Sequence, residues 1–242
     1  MFRFTEQGDF PWYVTISYMR KVPQRAAFFD LDNTLIDGSS IYYFVRGMSK
    51  SGQIQRKDIL RFALDNYKFR KSKQENLSHI SYATKKILDF ARGRSHSTIT
   101  TLCEEIVQEF LPKKLFPMMK DRIEEHQSIG HHTWIVSAAP IEIASIVAKK
   151  LGMNGAIATT GEVVDGLYSG NLPGGAMHGM NKALAIKELA TVNNYDLEKS
   201  FAYSDSVNDL PLLVSVGNPY IVNPNKQFKI IATKNQWPVL VA

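Results

Sequence analysis

Short apolar runs recur along the chain, and stretches with helical spacing separate them. The first run extends from Ala26 to Phe29 and ends directly before acidic residues. Three others resemble it and a fourth is weaker: Thr133 to Val136, Phe201 to Tyr203, Tyr220 to Val222, and Gly155 to Ala158. Short apolar strands that alternate with helices are typical of a parallel sheet with crossover helices. The pattern therefore predicts an α/β fold with a parallel sheet.

The stretches between these runs carry helix and turn signals. Pro140 is placed as the first residue of a helix, and Gly152 is placed to end it. Further helices are predicted over about 181–192 and from near Val207 onward. The Asp-Gly pair within 162–172 separates two apolar pairs and predicts a hairpin.

The segment from Ser40 to Leu111 has a different character. It holds no proline and only three glycines, and apolar residues recur in it at helical spacing, as at Ile99, Leu102, Ile106 and Phe110. We predict a helical domain over 38–112, inserted into an α/β core formed by 26–37 and 113–242. Residues 1–25 form an N-terminal extension, in which Trp12 to Met19 suits either a short strand or a docked arm.

Positive charge is concentrated in this inserted segment. Between Gly38 and Pro112 there are 13 lysines and arginines against 7 aspartates and glutamates, while the whole chain has 29 and 23, so the full excess of +6 lies here. The excess could steer an anionic substrate toward a nearby site, or it could belong to a solvated helical face. Basic runs such as 68–71 come without a recognition motif, so we expect no nucleic-acid partner.

Composition indicates an ordinary globular protein. Of 242 residues, 44% are apolar and 21% are charged, which suits a chain that buries a sizeable core. Its one cysteine, Cys103, cannot form an intramolecular disulfide and suits a reducing compartment. No apolar run reaches the roughly 20 residues that cross a bilayer, and the N-terminus lacks a signal-peptide pattern. We expect a cytoplasmic protein without a membrane span.

Two carboxylates follow the first predicted strand. Asp30 and Asp32 are two residues apart, and like charges this close repel each other unless a cation or ligand is present. A carboxylate can attack phosphorus and form an acyl phosphate, so Asp30 is the candidate nucleophile. Asp32 is the candidate general acid, which would protonate the leaving oxygen and later take a proton from water.

A serine follows the second predicted strand. Ser137 comes before the helix that starts near Pro140, and its hydroxyl and the nearby N–H groups could hold a phosphate oxygen. The same position also suits an ordinary helix cap.

A lysine opens the helix predicted over 181–192. Lys182 lies at the end where the helix dipole disfavours positive charge, which indicates a partner anion. An exposed surface lysine is the alternative.

Acidic residues also follow the strand at Phe201 to Tyr203. Asp205 comes directly after it and Asp209 lies four residues on. Mg²⁺ prefers carboxylate oxygens and shares substrate phosphate, so Asp205 together with Asp30 suits this ion. Asp209 could orient a metal-bound water or anchor Lys182, and the alternative is helix capping by Asp205 and solvation of Asp209.

The order of these motifs resembles that of the haloacid-dehalogenase-like superfamily of phosphatases over about 26–222. The four family motifs are matched, in order, by Asp30, Asp32 and Thr34, by Ser137, by Lys182, and by the run from Ser204 to Asp209. Ser204 replaces the usual glycine and leaves both acids of the fourth motif intact. The helical insert and the hairpin at 165–170 resemble the phosphoserine-phosphatase-like branch, subfamily IB. This branch has a Rossmann-like parallel-sheet core and an inserted all-helical cap of C1 type.

The resemblance implies a role for each matched residue. Asp30 would be the nucleophile and Asp32 the acid and base. The remaining roles would be phosphate binding by Ser137, Ala138, Lys182 and Thr34, Mg²⁺ binding by Asp30, the Asp32 carbonyl and Asp205, and support from Asp209 and Asn208.

One position departs from true phosphoserine phosphatases. They have a glutamate nine residues after the nucleophile, where Ser39 stands here, and no carboxylate lies between Gly38 and Lys57. We therefore predict a Mg²⁺-dependent phosphatase for a small phosphorylated metabolite and leave the metabolite and the oligomeric state open. The alternatives are a phosphotransferase or phosphomutase of the same fold and a phospho-aspartate receiver. In a receiver the acidic pair precedes the phosphorylated aspartate.

Overall fold

The computed structural model describes residues 23–50, 84–85 and 87–242. Within these ranges, six parallel strands form one sheet in the order β3-β2-β1-β6-β7-β8, and a two-stranded antiparallel hairpin lies apart from it. The strands are β1 (Ala26–Phe29), β2 (His132–Pro140), β3 (Gly155–Thr159), β4 (Val163–Val164), β5 (Leu167–Tyr168), β6 (Phe201–Ser204), β7 (Asn218–Val222) and β8 (Val239–Leu240). The predicted α/β class with a parallel sheet is confirmed.

Helices connect the strands and cover the sheet. They are α1 (Ser40–Lys50), α2 (His96–Lys114), α3 (Pro117–Ser128), α4 (Ile141–Lys150), α5 (Met180–Asn193), α6 (Leu210–Leu213) and α7 (Lys226–Lys234). Short 3₁₀ turns precede β6 and α6, at Leu197–Lys199 and Val207–Asp209. None of the described helices is both long enough and apolar enough to cross a membrane.

The strand order indicates that a ligand site should lie near the end of β1. All four residues of β1 are buried, as expected for a strand covered on both faces. From β1 the chain adds β2 and β3 on one side, and it later adds β6, β7 and β8 on the other. Ligands of open α/β sheets bind beyond the carboxyl ends of the strands where the strand order reverses, and here that place is the end of β1.

The described part of the predicted insert is helical. Helix α1 packs against α2 at Gly47, where a β-carbon would come within 2.3 Å of Ile106 Cγ1, so the close approach requires glycine. Helix α2 runs through Pro112 to Lys114, two residues beyond the predicted boundary. The cap over 38–112 and the domain boundaries remain predictions, and the spacing within 51–83, the basic run at 68–71 and the proposed arm at 12–19 lie outside the described residues.

Two local predictions need correction. Pro140 does not open the helix, because it is the last residue of β2 and the N-terminal cap of α4, which begins at Ile141. The helix predicted near Val207 starts as a 3₁₀ turn and becomes α-helical only at Leu210, ahead of Pro211. A proline near the start is compatible with this arrangement because its missing N–H would have no partner within the helix.

A buried histidine lies beside the strands that lead to the acidic residues. The Nε2 atom of His126 is 2.8 Å from the Tyr203 hydroxyl, and its Nδ1 atom is 2.9 Å from Nδ1 of His131. The ring of Tyr203 stacks on that of Phe29 at a centroid distance of 4.6 Å. Burial, with the charges of His131 and Arg122 adding to it, lowers the pKa of His126 to about 4.

Protonation of unfolded His126 is expected to lower the free energy of unfolding as the pH drops below about 6.5, whereas the raised pKa of Asp30 acts in the opposite direction. Unfolded His126 takes up a proton near pH 6.5, whereas the folded residue resists protonation down to about 4. The stabilisation that neutral His126 contributes is therefore complete above about pH 6.5, and it is lost as the pH falls toward about 4. Burial also lowers the pKa of His131, which acts in the same direction. The loss due to His126 between about pH 7.5 and about pH 5 should be about 2 kcal/mol, measurable by urea unfolding as the difference in pH dependence between the parent chain and a variant without His126.

The variant His126→Gln should lose most of this difference between the two pH values. The exposed His96 offers a matched control, because His96→Gln should keep the pH dependence of the parent chain. An unchanged pH dependence in His126→Gln would show that other groups cause it.

Candidate active site

Asp30 directly follows the last residue of β1 and begins a tight loop. Its N–H donates to the Tyr203 carbonyl at 2.9 Å, which continues the β1–β6 pairing by one residue. The N–H groups of Leu35 and Ile36 both donate to the Leu31 carbonyl, and this turn folds the chain back under the strand end. Asn33 occupies the left-handed region with φ of 53°, which asparagine tolerates better than most residues. The loop thereby holds Asp30 and Asp32 at the carboxyl edge of the sheet.

A lysine on α5 joins two buried carboxylates. The Lys182 Nζ atom lies 2.7 Å from Asp30 Oδ1 and 2.7 Å from Asp209 Oδ2. All three side chains are buried, with 8% or less exposed. The Ser204 hydroxyl also donates to Asp209 Oδ2, at 2.8 Å. The bond between Lys182 and Asp30 joins residues 152 positions apart, so distant parts of the chain form one connected cluster.

The charges of this cluster do not balance. Two carboxylates share one ammonium group, so Lys182, Asp30 and Asp209 together carry excess negative charge whenever both carboxylates are ionised. Burial raises the pKa of Asp30, the nearby charge of Lys182 opposes this, and the carboxylates of Asp209 and Asp32 add to it. Burial works against the charged form of Lys182, but Asp209 and Asp30 outweigh it and raise the pKa of Lys182. The lysine is charged, and the surroundings favour an additional cation.

The second carboxylate of the loop is fixed by the start of α1. The N–H of Ser40 donates to Asp32 Oδ1 at 2.8 Å. Burial raises the pKa of Asp32, and the Ser40 hydrogen bond opposes the shift. Ser40 could not be identified from the sequence, because its donor to Asp32 is the main-chain N–H and every residue except proline has this group. Ser39, next to it, stands in the position where a glutamate was expected.

The fourth motif lies beside the first at the sheet edge. The N–H of Asp205 donates to Thr34 Oγ1 at 3.0 Å, and Thr34 is fully buried. Asp205 follows β6 as Asp30 follows β1, and these two strands are direct neighbours. The N–H of Asn208 donates to Ser206 Oγ at 3.2 Å and stabilises the turn that carries Asp209.

Ser137 and Ala138 lie near the end of β2, on the other side of β1. Ser137 is buried and accepts a hydrogen bond from the N–H of Ala139 at 3.2 Å, while the Ala138 carbonyl accepts one from the Thr159 hydroxyl at 2.8 Å. The strand pairing shifts its register between Ser137 and Pro140, so Ala138 and Ala139 lie in an irregularity of the ladder before Pro140 pairs with Thr159 of β3. The structure thus places this pair at the same sheet edge as Asp30 and gives it no direct hydrogen bond to the lysine cluster.

The donor chemistry of this edge suits Mg²⁺. Within the described residues, no group of three or more His, Cys, Asp or Glu side chains is arranged to hold a metal ion. The predicted ligand set is different, since it combines two carboxylates, Asp30 and Asp205, with the main-chain carbonyl of Asp32. A small number of protein oxygens completed by water and substrate phosphate is typical of Mg²⁺, and the excess negative charge of the lysine cluster favours a cation there.

Comparison with known proteins agrees with this geometry. Residues 27–214 match the family model of haloacid dehalogenase-like hydrolases. Phosphoserine phosphatase SerB1 of Mycobacterium tuberculosis is 36% identical over 214 residues, covering 88% of this chain and 70% of that protein. A histidinol-phosphatase of Neisseria meningitidis serogroup C is 31% identical over 221 residues, covering 88% and 97%. The crystal structure of a Bordetella pertussis Tohama I protein of unknown function superposes with a TM-score of 0.77 at 26% identity, covering 90% and 99%.

The chain belongs to the haloacid dehalogenase-like hydrolase family. Within that family it is similar to the phosphoserine-phosphatase-like branch, so the resemblance seen in the motifs is confirmed. The predicted class of enzyme, a phosphatase, is also confirmed. The family match favours this class over the phospho-aspartate receiver.

Proposed function

We propose that the protein hydrolyses a small phosphomonoester through a phospho-aspartate at Asp30, with Mg²⁺ bound at the same site. The observation that supports this most is the buried cluster in which Lys182 Nζ lies 2.7 Å from both Asp30 and Asp209. An ammonium group held this close to the nucleophile is placed to contact phosphoryl oxygens as charge builds on them. Asp209 fixes the direction of the lysine.

In the first step, a carboxylate oxygen of Asp30 forms a bond to phosphorus, and the bond from phosphorus to the leaving oxygen breaks. The leaving oxygen takes a proton from Asp32, whose carboxyl group is oriented by the N–H of Ser40. The products of this step are phospho-Asp30 and a released alcohol. A positioned acid of this kind contributes roughly 10²- to 10⁴-fold to the rate.

In the second step, water attacks the phosphorus of phospho-Asp30 and gives a proton to Asp32. The bond between phosphorus and Asp30 breaks, inorganic phosphate leaves, and Asp32 is again protonated for the next substrate. The hydroxyls of Ser137 and Thr34, the main chain at Ala138 and the ammonium of Lys182 hold phosphate oxygens during both steps.

Mg²⁺ would be held by Asp30, the Asp32 carbonyl and Asp205, and it would supply positive charge where a carboxylate meets an anionic phosphoryl group. Asn208 and Asp209 support this arrangement through the turn they share and through Lys182.

The substrate is a small organic phosphomonoester. The names of two relatives, a phosphoserine phosphatase and a histidinol-phosphatase, denote hydrolysis of phosphate esters of small alcohols. A screen of phosphomonoesters with the purified full chain tests the proposal through release of inorganic phosphate. Transfer of the phosphoryl group to an added alcohol, without free phosphate, would instead identify a phosphotransferase.

Removal of divalent metal is expected to reduce hydrolysis to background. The loss should be at least about 10²-fold, because a bound metal supplies several kcal/mol of charge stabilisation in such reactions. Phosphate release is measured with EDTA and again after Mg²⁺ is added in excess, which should restore it. Thermal unfolding in EDTA serves as the control that the chain stays folded, and full activity in the chelator would contradict the metal assignment.

A further inference from the structure

The residue after β7 is an asparagine whose side chain reaches the loop after β1. The Asn223 Nδ2 atom donates to the Asn33 carbonyl at 3.4 Å, although the two residues are 190 positions apart. Strand β6 lies between β1 and β7 in the sheet. The contact therefore joins the two segments that flank the end of β6, where Asp205 follows the strand.

The same side chain is held at its other end by the segment around β8. Asn223 Oδ1 accepts a hydrogen bond from the Ala242 N–H at 2.9 Å, and the Asn223 N–H donates to the Leu240 carbonyl at 2.9 Å. Because the N–H of Ala242 can only donate, the carbonyl oxygen of the amide lies on that side. The NH₂ group of the amide is thereby turned toward Asn33.

Both asparagines of this contact have a left-handed backbone conformation. The φ angle is 53° at Asn33 and 45° at Asn223, and among the described residues the only other non-glycine positions with positive φ are Asp165, Asn194 and Gln236. Such conformations persist where neighbouring contacts determine them. A turn alone would be served at least as well by glycine, which adopts positive φ readily. The turn therefore does not account for an amide that is hydrogen-bonded at both ends.

The contact fixes the part of the loop between Asp32 and Thr34. The Asp32 carbonyl belongs to the peptide plane before Asn33, and rotation about φ of Asn33 relates this plane to the Asn33 carbonyl. Asn223 holds that carbonyl. Thr34, the next residue, accepts a hydrogen bond from the N–H of Asp205 at 3.0 Å. The direction of the Asp32 carbonyl relative to Asp205 therefore depends on the left-handed turn that Asn223 holds.

We propose that Asn223, oriented by Ala242, is a positioning residue for the Mg²⁺ site, because it holds the Asp32 carbonyl in the direction in which it meets the ion together with Asp30 and Asp205. This inference rests on the proposed function. An amide is uncharged, so it holds the loop without competing with the ligands for the ion. Partners behind metal ligands typically contribute roughly 10- to 100-fold to metal affinity.

The variant Asn223→Gly removes the amide and keeps a residue that adopts positive φ readily. Mn²⁺ prefers the same oxygen ligands as Mg²⁺ and serves as the probe. EPR of the free ion during a titration of the full chain gives its dissociation constant without substrate. We expect Mn²⁺ to bind about 10-fold more weakly than in the parent chain. The Asn33 N–H still donates to the Gly38 carbonyl at 3.1 Å, so the chain should stay folded.

Phosphate release should show the same change as a higher demand for metal. The Mg²⁺ concentration for half-maximal activity should rise about 10-fold in Asn223→Gly, while kcat at saturating Mg²⁺ stays within about threefold of the parent chain. Asn194→Gly is the matched control, because Asn194 is an exposed left-handed asparagine at the end of α5 opposite to Lys182. It should change neither the Mn²⁺ dissociation constant nor the Mg²⁺ demand.

A second pair of variants tests the part of Ala242. Ala242→Pro removes the N–H that orients the amide, whereas Ala242→Gly keeps it and is the matched control. The proline variant should bind Mn²⁺ about 2- to 5-fold more weakly than the glycine variant, as for the loss of one neutral hydrogen bond. Equal Mn²⁺ binding in the two variants would overturn the part assigned to Ala242.

Failure of this inference and failure of the proposed function give different results. Absence of phosphate release from every monoester, at all Mg²⁺ concentrations, in the parent chain overturns the proposed function. Unchanged Mn²⁺ binding in Asn223→Gly, with an active parent chain, overturns only the positioning role, whatever the kcat of the variant. A purely structural Asn223 would lower the thermal midpoint and leave the Mn²⁺ dissociation constant of the parent chain unchanged in the variant.

Discussion

Replacing Asp30 with asparagine is expected to abolish phosphate release, with kcat lower by at least about 10⁴-fold. Asparagine keeps the shape of the side chain but lacks the anionic oxygen that attacks phosphorus. Acid quenching of the parent chain during turnover, followed by intact-mass measurement, should show one added phosphoryl group, and Asp30→Asn should not show it.

The same substitution should leave the fold intact. In the parent chain two buried carboxylates share Lys182, and the change removes one of them. The free energy of unfolding should therefore be equal or higher, so that lost activity cannot be attributed to unfolding. Asp121→Asn, at an exposed position on α3, is the matched control and should retain full activity. Substantial turnover in Asp30→Asn would exclude the covalent route.

Part of the fold could be predicted from the sequence because the central strands β1 and β6 are buried almost throughout. The run Ala26–Phe29 is wholly apolar and coincides with β1. Other elements lack such a signal. Helix α3 carries polar residues over most of its surface and buries only Met119, Ile123 and His126. Strand β8, Val239–Leu240, has two residues and exists through its pairing with β7, which no local pattern encodes.

Some residues of the site could be predicted because their charges are unfavourable in their local surroundings. The closely spaced carboxylates of Asp30 and Asp32 indicated a partner, and so did Lys182 at the unfavourable end of a helix. The structure shows such partners for Lys182. Ser40 gave no such signal, because it holds Asp32 through a main-chain N–H, a group that every residue except proline has. Its place beside Asp32 depends on where α1 begins relative to the loop that follows β1, which residue spacing along the chain does not reveal.

Replacing Lys182 with methionine is expected to lower the free energy of unfolding by about 3–5 kcal/mol. Methionine fills a similar volume but leaves Asp30 and Asp209 buried without their shared cation. Urea unfolding measures the loss, and phosphate release should fall below detection because the ammonium that holds phosphate is gone. Lys187→Met, at an exposed position on the same helix, is the matched control and should change stability by less than about 0.5 kcal/mol.

The double variant Lys182→Met with Asp209→Asn separates the two effects of the lysine. Removing one of the two carboxylates relieves their repulsion, so the double variant should recover part of the stability that Lys182→Met loses, with a coupling energy of about 0.5–3 kcal/mol. Activity should not return with it, because Asp209→Asn restores no positive charge beside Asp30. Additive losses of stability would show that the 2.7 Å contact between Lys182 and Asp209 contributes little. Recovered turnover would show that Asp30 needs no ammonium group to attack phosphorus.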